Sequence, residues 1–354
     1  MSKLKDKIKD KLPGASNEPE HKTEKEKLDE RREEILAQGR KFKYPMQFAK
    51  HRLVIATIIV ALVALVLAGL IGWLSLYKTQ STGDILYRIT TILPVPVAKV
   101  DGENVRYSDY LMIYRSSITP VKQQNGALST AENDLGALEN YYKRTALTDA
   151  EDYTYAIKLA KQMDITVTDE MIDKAFDEHR KIGGTERSKE GFLKILKDNF
   201  NLSESEYRRM LYLSLIKTEV SRKIDNNATK KAEEALAKVK GGADFKTTAD
   251  ELGLGYEETG ELIDVMNIDG GRSTLAYNLT PGAISDVLVS DNGDGYYIVK
   301  LVDKADSKVN YVSITIPFTE FENRMKNVRE ENRIEEYIEL SDDGNNNGDQ
   351  AKNQ

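Results

Sequence analysis

The sequence predicts an α+β protein. It should carry one N-terminal membrane-spanning helix, a helical lobe after it, and an antiparallel sheet with flanking helices towards the C-terminus. Three observations carry that expectation. Residues 53–77, LVIATIIVALVALVLAGLIGWLSLY, hold no charge, and roughly 20 apolar residues suffice to cross a bilayer as a helix. Capped apolar stripes of helical period then run almost to Ile224. Further on, DVLVSDNGDGYYIVKL (286–301) and VNYVSITIP (309–317) are short β-prone runs bounded by turn residues.

Composition narrows the chemistry. The 354 residues include no Cys and 3 His, with 31% charged residues and a net charge of -7. Zero Cys removes disulfides, thiol catalysis, thiolate metal sites and a lipidated anchor together. The chain has no P-loop, no GxGxxG after a strand, no HExxH and no His or Cys cluster, so neither a cofactor nor a metal is expected.

The span Leu53–Tyr77 is expected to persist as an anchor, since a secretory signal has an apolar core of only about 7 to 15 residues and a small-residue cleavage site. Arg40, Lys41, Lys43, Lys50 and Arg52 crowd its N-terminal side, whereas Lys78 is the close cation on the other. The positive-inside bias then places the N-terminus in the cytoplasm and everything after Tyr77 outside the cell membrane, in a single-pass topology. Residues 1–52 carry 15 Lys/Arg against 10 Asp/Glu, leaving 36 against 48 for the remainder. An acidic exterior argues against nucleic acid as a partner, and lipid is the partner of the 53–77 helix. Leu4, Ile8 and Leu12 fall at helical spacing among lysines and could lie on an anionic leaflet. Three aliphatics bury little area, so the favoured reading of 1–52 is a basic, mostly disordered tail.

The exterior region divides in order. Residues 78–95 read as a spacer that ends around Pro94 and Pro96. VAKVDGENV (97–105) is a strand with an Asp-Gly turn. Thr168 can cap a helix with Asp169 and Glu170 in its first turn and Met171, Ala175 and Phe176 on one face. Ser203 and Glu206 form a capping box ahead of Tyr207, Met210, Leu211, Leu215 and Ile216. These stripes read as bundle core rather than a cofactor site. Residues 228–253, ATKKAEEALAKVKGGADFKTTADELG, form a helix stopped at Gly241-Gly242 and a second led by Asp244 and Phe245. In the later hairpin, DNGDG supplies positive-φ turn residues. A calcium loop is rejected there, because Ser290 and Leu301 stand where the first and last acidic ligands should be. A closing helix is expected over 318–340, with Phe321, Met325, Val328 and Ile338 able to pack back on the helical lobe, followed by a low-complexity tail, 341–354.

Two resemblances add to this reading. VAKVDGENVRYSDY, AIKLAKQMDITVTDEMIDKAFDEHRKIGG and FLKILKDNFNLSESEYRRMLYLSLIKTEV, in that order, resemble the N-terminal chaperone domain of SurA and the PrsA-type foldases. That domain would occupy 96–228. The helix pair at 228–253, TGEL at 259–262 and LAYNLTPGAISDVLVSDNGDGYYIVKLVDK are similar to a parvulin-type peptidyl-prolyl isomerase domain, here 229–317. The resemblance implies a site of two facing histidines and an acidic or Cys residue that polarise the prolyl amide. His21, His51 and His179 all lie outside 229–317. Tyr297 takes the place of one family histidine. An expected ring of the prolyl pocket falls near Arg272, and Met266 and Tyr277 are the candidate substrate-binding residues. The strand that opens a parvulin domain has no room before Thr229. The 309–317 strand could fill its central place beside 296–302, as in a circular permutation, which would put Ser313 where the first histidine belongs. Alternatively it pairs with 97–100.

These resemblances imply a membrane-anchored extracytoplasmic chaperone or foldase, with unfolded or nascent exported polypeptides as partners and a parvulin-like domain weak or lacking in isomerase activity. Two alternatives stand beside it: an active isomerase with a non-standard site at Tyr297 and Ser313, and a structural adaptor of the envelope.

Overall fold

The computed structural model describes residues 23–43, 45–128, 132–182, 185–267, 269–290 and 293–340. Helix α1 (Glu24–Lys43) opens where Thr23 donates from its backbone N and Oγ1 to Glu26 Oε2, at 3.0 and 2.9 Å. The expectation of a mostly disordered 1–52 is thus corrected over 24–43, because a cap precedes a run of Glu, Lys, Leu, Arg and Ala, all strong helix formers. The basic amphipathic stretch with Leu4, Ile8 and Leu12 lies outside the described residues. Helix α2 (Pro45–Tyr77) begins on a proline, whose fixed φ suits a first helical position. Its stretch His51–Tyr77, 27 residues, is long and apolar enough to cross a membrane.

Residues 78–95 are not a bare spacer: they contain helix α3 (Asp84–Ile92), held to the lobe by buried Tyr87 and Thr90. Next comes a hairpin of β1 (Pro96–Val100) and β2 (Glu103–Arg106), turned through Asp101 at φ 46° and Gly102 at φ 90°, as a two-residue turn of this hand requires. The lobe continues with α4 (Tyr107–Leu128), α5 (Glu132–Gln162) and α6 (Asp169–Arg180). The small pair β3 (Lys181–Ile182) and β4 (Thr185–Glu186) leads to α7 (Lys189–Phe200) and α8 (Glu204–Ile224). Thr168 and Ser188 cap α6 and α7, and Ser203 with Glu206 makes the full capping box of α8. Tyr107, Leu111, Leu147, Leu213 and Ile216 are fully buried at the centre of the lobe.

The chain then builds α9 (Asn226–Lys240), α10 (Phe245–Leu252), β5 (Gly255–Glu258), β6 (Ile263–Asp264), α11 (Arg272–Tyr277), β7 (Leu288–Val289), β8 (Gly295–Ala305) and β9 (Lys308–Pro317). The sheet runs β5-β9-β8-β7, antiparallel throughout, with β6 also on β9. Successive strand residues point to opposite faces. Tyr296, Ile298, Ile314 and Ile316 meet Ala228, Ala232 and Phe245 of α9 and α10, whereas Tyr297, Val299, Leu301, Val309 and Tyr311 meet Ala276 of α11. At the hairpin, 291–292 lie outside the described residues and Gly293 takes φ 69°. A Cβ on Gly295 would stand 2.3 Å from the Ile316 carbonyl oxygen, so only glycine fits there.

The expected closing helix over 318–340 is shorter. Helix α12 (Glu320–Glu330) stops, Asn332 turns left-handed at φ 53°, and β10 (Ile334–Glu336) pairs antiparallel with β1. The cause is tertiary: β1 has an open edge, and an open edge leaves backbone groups to be paired. Ala98 faces Glu336 and Val100 faces Ile334, and Asp101 N donates to Arg333 O at 2.8 Å. That edge is therefore filled by β10, while the 309–317 strand lies between β5 and β8. Phe321, Met325, Val328 and Ile338 all join the core of the helical lobe.

Both crossings between the lobe and the sheet meet at Asp225. Its Oδ1 accepts from Ala228 N at 2.9 Å, and its Oδ2 from Thr319 N at 2.8 Å and Glu320 N at 3.1 Å. Burial works to raise this carboxyl, but the hydrogen bonds from Ala228, Thr319 and Glu320 outweigh it and hold the group below the usual Asp range. Asp225→Ala should lower unfolding stability by about 1–3 kcal/mol, the cost of stranding buried donors. A depressed folded pKa stabilises above the unfolded value, near 3.9. In urea titrations followed by circular dichroism, the gap between wild type and variant should therefore be complete at neutral pH and close as pH falls below about 4.

Glu151 in α5 behaves in the opposite sense. It is buried, its Oε1 has no partner among the described residues, and burial, with Glu336 adding to it, pushes its carboxyl up to about 8. A raised folded pKa means that the folded state keeps a proton the unfolded chain loses near pH 4.3. Stability should fall as pH rises from about 5 to 8, and Glu151→Gln should flatten that slope in thermal melts taken across the range.

Candidate functional site

An open cleft of about 810 Å³ separates the helical lobe from one face of the sheet. Its sheet-side wall includes Val265, Met266, Leu275, Leu288, Val289 and Tyr297, and its helical wall includes Glu178, His179 and Tyr207. Met266, just after β6, is 51% exposed, and Leu288 and Val289 on edge strand β7 are 39% and 36% exposed; Leu288 stands opposite Tyr297 and so shares its face, whereas Val289 stands opposite Tyr296.

Local chemistry explains the wall. Gly270 and Gly271 take φ 69° and 90°, a left-handed pair that turns the chain sharply into α11. Asp269 fixes that turn from beneath: its carboxylate accepts from Ser273 N at 3.1 Å, from the Ser273 hydroxyl, and from Tyr311 OH at 2.7 Å. Burial, followed by the bond to Asp269, pushes the Tyr311 phenol far above its ordinary range, so Tyr311 stays a neutral donor. Arg272, the first residue of α11, donates from Nε to Asp269 O at 2.8 Å and from Nη1 to the Glu257 carboxylate, while its guanidinium carbon lies 4.8 Å from the centre of the Tyr297 ring. A guanidinium over a phenol face is an attractive cation–π arrangement.

Tyr297 therefore does not pack against the 229–252 helices. Strand alternation gives that role to Tyr296, whose OH lies 3.1 Å from Thr229 Oγ1 and whose ring meets Phe318 edge-on at 4.8 Å. Tyr297 faces the cleft beneath Arg272. Its hydroxyl lies 3.5 Å from Asp294 Oδ1, and its pKa is raised, mainly by burial, against a hydrogen bond with Ser290 that works to lower it. Ser313 shares this face of the sheet, opposite Val299, but is wholly buried, with no hydrogen-bond partner for Oγ among the described residues. Tyr277 packs in the small core under α11, with Lys304 Nζ 5.4 Å from its ring centre. Of the four candidates, Met266 and Tyr297 line the cleft; Ser313 and Tyr277 do not. Where the prolyl pocket was expected to have a ring, Arg272 supplies a cation stacked on one.

His179 is the residue the sequence placed elsewhere. It lies in the last turn of α6, more than a hundred positions before Tyr297, yet lines the same cleft, with Nδ1 2.5 Å from Tyr207 OH. Burial pushes the Tyr207 phenol up to about 12. Among the described residues, no group of three or more His, Cys, Asp or Glu could hold a metal ion.

Tyr297→Phe keeps the ring under Arg272 and should cost no more than about 0.5–1.5 kcal/mol. Arg272→Ala removes the contacts to Glu257, Asp269 and Tyr297 together. It should lower stability by a larger amount, about 1.5–3 kcal/mol for charge-assisted bonds, read as a lower Tm than that of Tyr297→Phe.

Comparison with known proteins bears on the helical wall. No curated protein matches the chain. Residues 46–221 match the family model of the SurA-like N-terminal domain, a match that takes in α2 to α8 and supports a chaperone-type role of the SurA and PrsA kind.

Proposed function

We propose that the chain is a membrane-anchored chaperone or foldase that holds unfolded exported polypeptides in the cleft between its helical lobe and its sheet. The observation that carries this reading is the pair of exposed apolar side chains Met266 and Leu288, the latter on the Tyr297 face of the sheet, across the cleft from a helical wall of SurA-like sequence. Edge strand β7 adds a second means of capture, because an extended client can pair with free backbone groups while its side chains enter the cleft. Residues 229–317 act in this proposal as a parvulin-like clamp with little or no isomerase activity. A phenol with a raised pKa at 297 can donate a hydrogen bond but exchanges protons poorly near neutral pH. The 53–77 helix is the anchor, with the basic flank cytoplasmic and the folded region outside.

The full chain in lipid nanodiscs should suppress aggregation of a reduced, unfolded client protein. Replacing Met266 and Leu288 together by Glu should remove most of that protection without unfolding the protein, since both are exposed. Protection that depends strictly on ATP or is abolished by a chelator would defeat the proposal. Protease added to intact cells should digest the region beyond Tyr77 and spare the N-terminal one. Survival of the large region would reverse the topology.

One observation favours a second reading, an active prolyl isomerase: His179 and Tyr297 line a single cleft. Isomerisation of a proline tetrapeptide separates the two. If wild type is active and either His179→Ala or Tyr297→Phe loses more than about tenfold, equal to 1.4 kcal/mol of barrier, the enzyme reading replaces the chaperone-only one.

A further inference from the structure

Helix α3 has two unlike faces. Its inner face is pinned: Tyr87 and Thr90 are buried, Arg115 lies 4.5 Å from the Tyr87 ring centre, and Arg115 also reaches Asp84 at 2.5 Å. Its outer face carries Ile85, Ile89 and Ile92, continued by Leu93, at 76%, 41%, 81% and 54% exposure. Spacings of four and three place them in one stripe along the helix. Arg88 stands exposed beside the stripe with no ion pair among the described residues. A stripe of isoleucines with nothing over it is costly in water, at about 25 cal/mol for each Å² left uncovered.

The chain itself indicates what covers it. Only Lys78–Gly83 separate the end of the apolar helix from α3, a connection that spans at most about 25 Å. The last turn of α2 is not loose. Leu76 is buried, the Leu76 carbonyl accepts from Tyr107 OH at 2.7 Å, and Tyr77 OH donates to Pro96 O at 2.7 Å. Trp73, 51% exposed and 6.1 Å from the Tyr77 ring, precedes that turn, and aromatic side chains of this kind favour the membrane interface. We infer that the outer face of α3 is a membrane-surface element: Ile85, Ile89, Ile92 and Leu93 enter the interfacial layer and Arg88 meets anionic lipid headgroups. This rests on the anchored reading given above and adds a second, peripheral contact to the spanning one. The lobe is then seated on the bilayer rather than swinging from it.

The test uses the full chain reconstituted in phosphatidylcholine vesicles with and without phosphatidylglycerol. Because the sequence has no Cys, Ile85→Cys, Ile92→Cys and, within the span, Leu65→Cys can each carry one environment-sensitive fluorophore. Labels at 85 and 92 should emit to the blue, be quenched by lipids with a shallow nitroxide, and be shielded from iodide. Arg88→Gln should lower the lipid-seated to free ratio about fivefold in the anionic vesicles, the worth of one basic residue near such a surface, and leave it unchanged in the neutral ones. If the label at 65 is quenched by lipid while those at 85 and 92 stay open to iodide, the anchor stands and this inference fails. If 65 is not quenched either, the anchored reading fails with it. Blue-shifted emission at 85 that appears only when an unfolded polypeptide is added would make the face a client site and overturn the membrane assignment.

Discussion

The structure turns on a junction that must be crossed twice. The chain leaves the helical lobe after Ile224, builds the sheet, and re-enters the lobe at Thr319, and one buried carboxylate, Asp225, binds both crossings through the backbone of Ala228, Thr319 and Glu320. Charge-assisted bonds to backbone N–H groups are among the stronger polar contacts a protein makes. Here they also set the geometry of everything downstream, since α9 begins and α12 is approached at the same point. The lobe itself is unfinished until the chain returns, because Phe321, Met325 and Val328 fill its core and β10 closes the edge of β1.

That double crossing explains the cleft. With both connections clasped on one side, the far face of the sheet stands open towards α6 and α8, and α11 lies on that face under the control of Asp269 and Arg272. The sheet can hold such a wall because both its faces are packed: one against α9 and α10, the other against α11. The hairpin tip adds a brace. A Cβ on Gly293 would fall 2.0 Å from Thr218 Oγ1 of α8, so the turn approaches the helical lobe by a route open to glycine. Walls already packed on both sides leave less ordering entropy to oppose binding.

Polar burial in the molecule is uneven. Asp225 and Asp269 are fully engaged, and each fixes a turn. Glu151, between the return of β10 and the core of α5, lacks a partner for one oxygen and keeps its proton to about pH 8. Its cost is borne at the seam where the C-terminal segment docks, beside Arg144, whose Nη1 donates to both Glu336 carboxylate oxygens at 2.7 and 2.8 Å.

The sequence by itself determined the local features: the uncharged 53–77 stretch, the Ser203 capping box, the Asp-Gly hairpin at 101–102, the break at Gly241-Gly242 and the alternation of 309–317. Each is decided within a few residues by charge, backbone freedom or hydrogen-bond competition, so each is legible without a partner. Only tertiary structure decided the rest. Asn332 and Ile334–Glu336 left a helical pattern because the edge of β1 offered backbone partners. Tyr87 and Thr90 made a helix of an apparent spacer by finding burial on the lobe. Which of Tyr296 and Tyr297 faces the cleft is a one-residue difference in strand phase that composition does not reveal. His179 and Arg272 reached the cleft for the same reason, since their chemistry was visible in the sequence but their proximity to Tyr297 is a property of how two lobes meet.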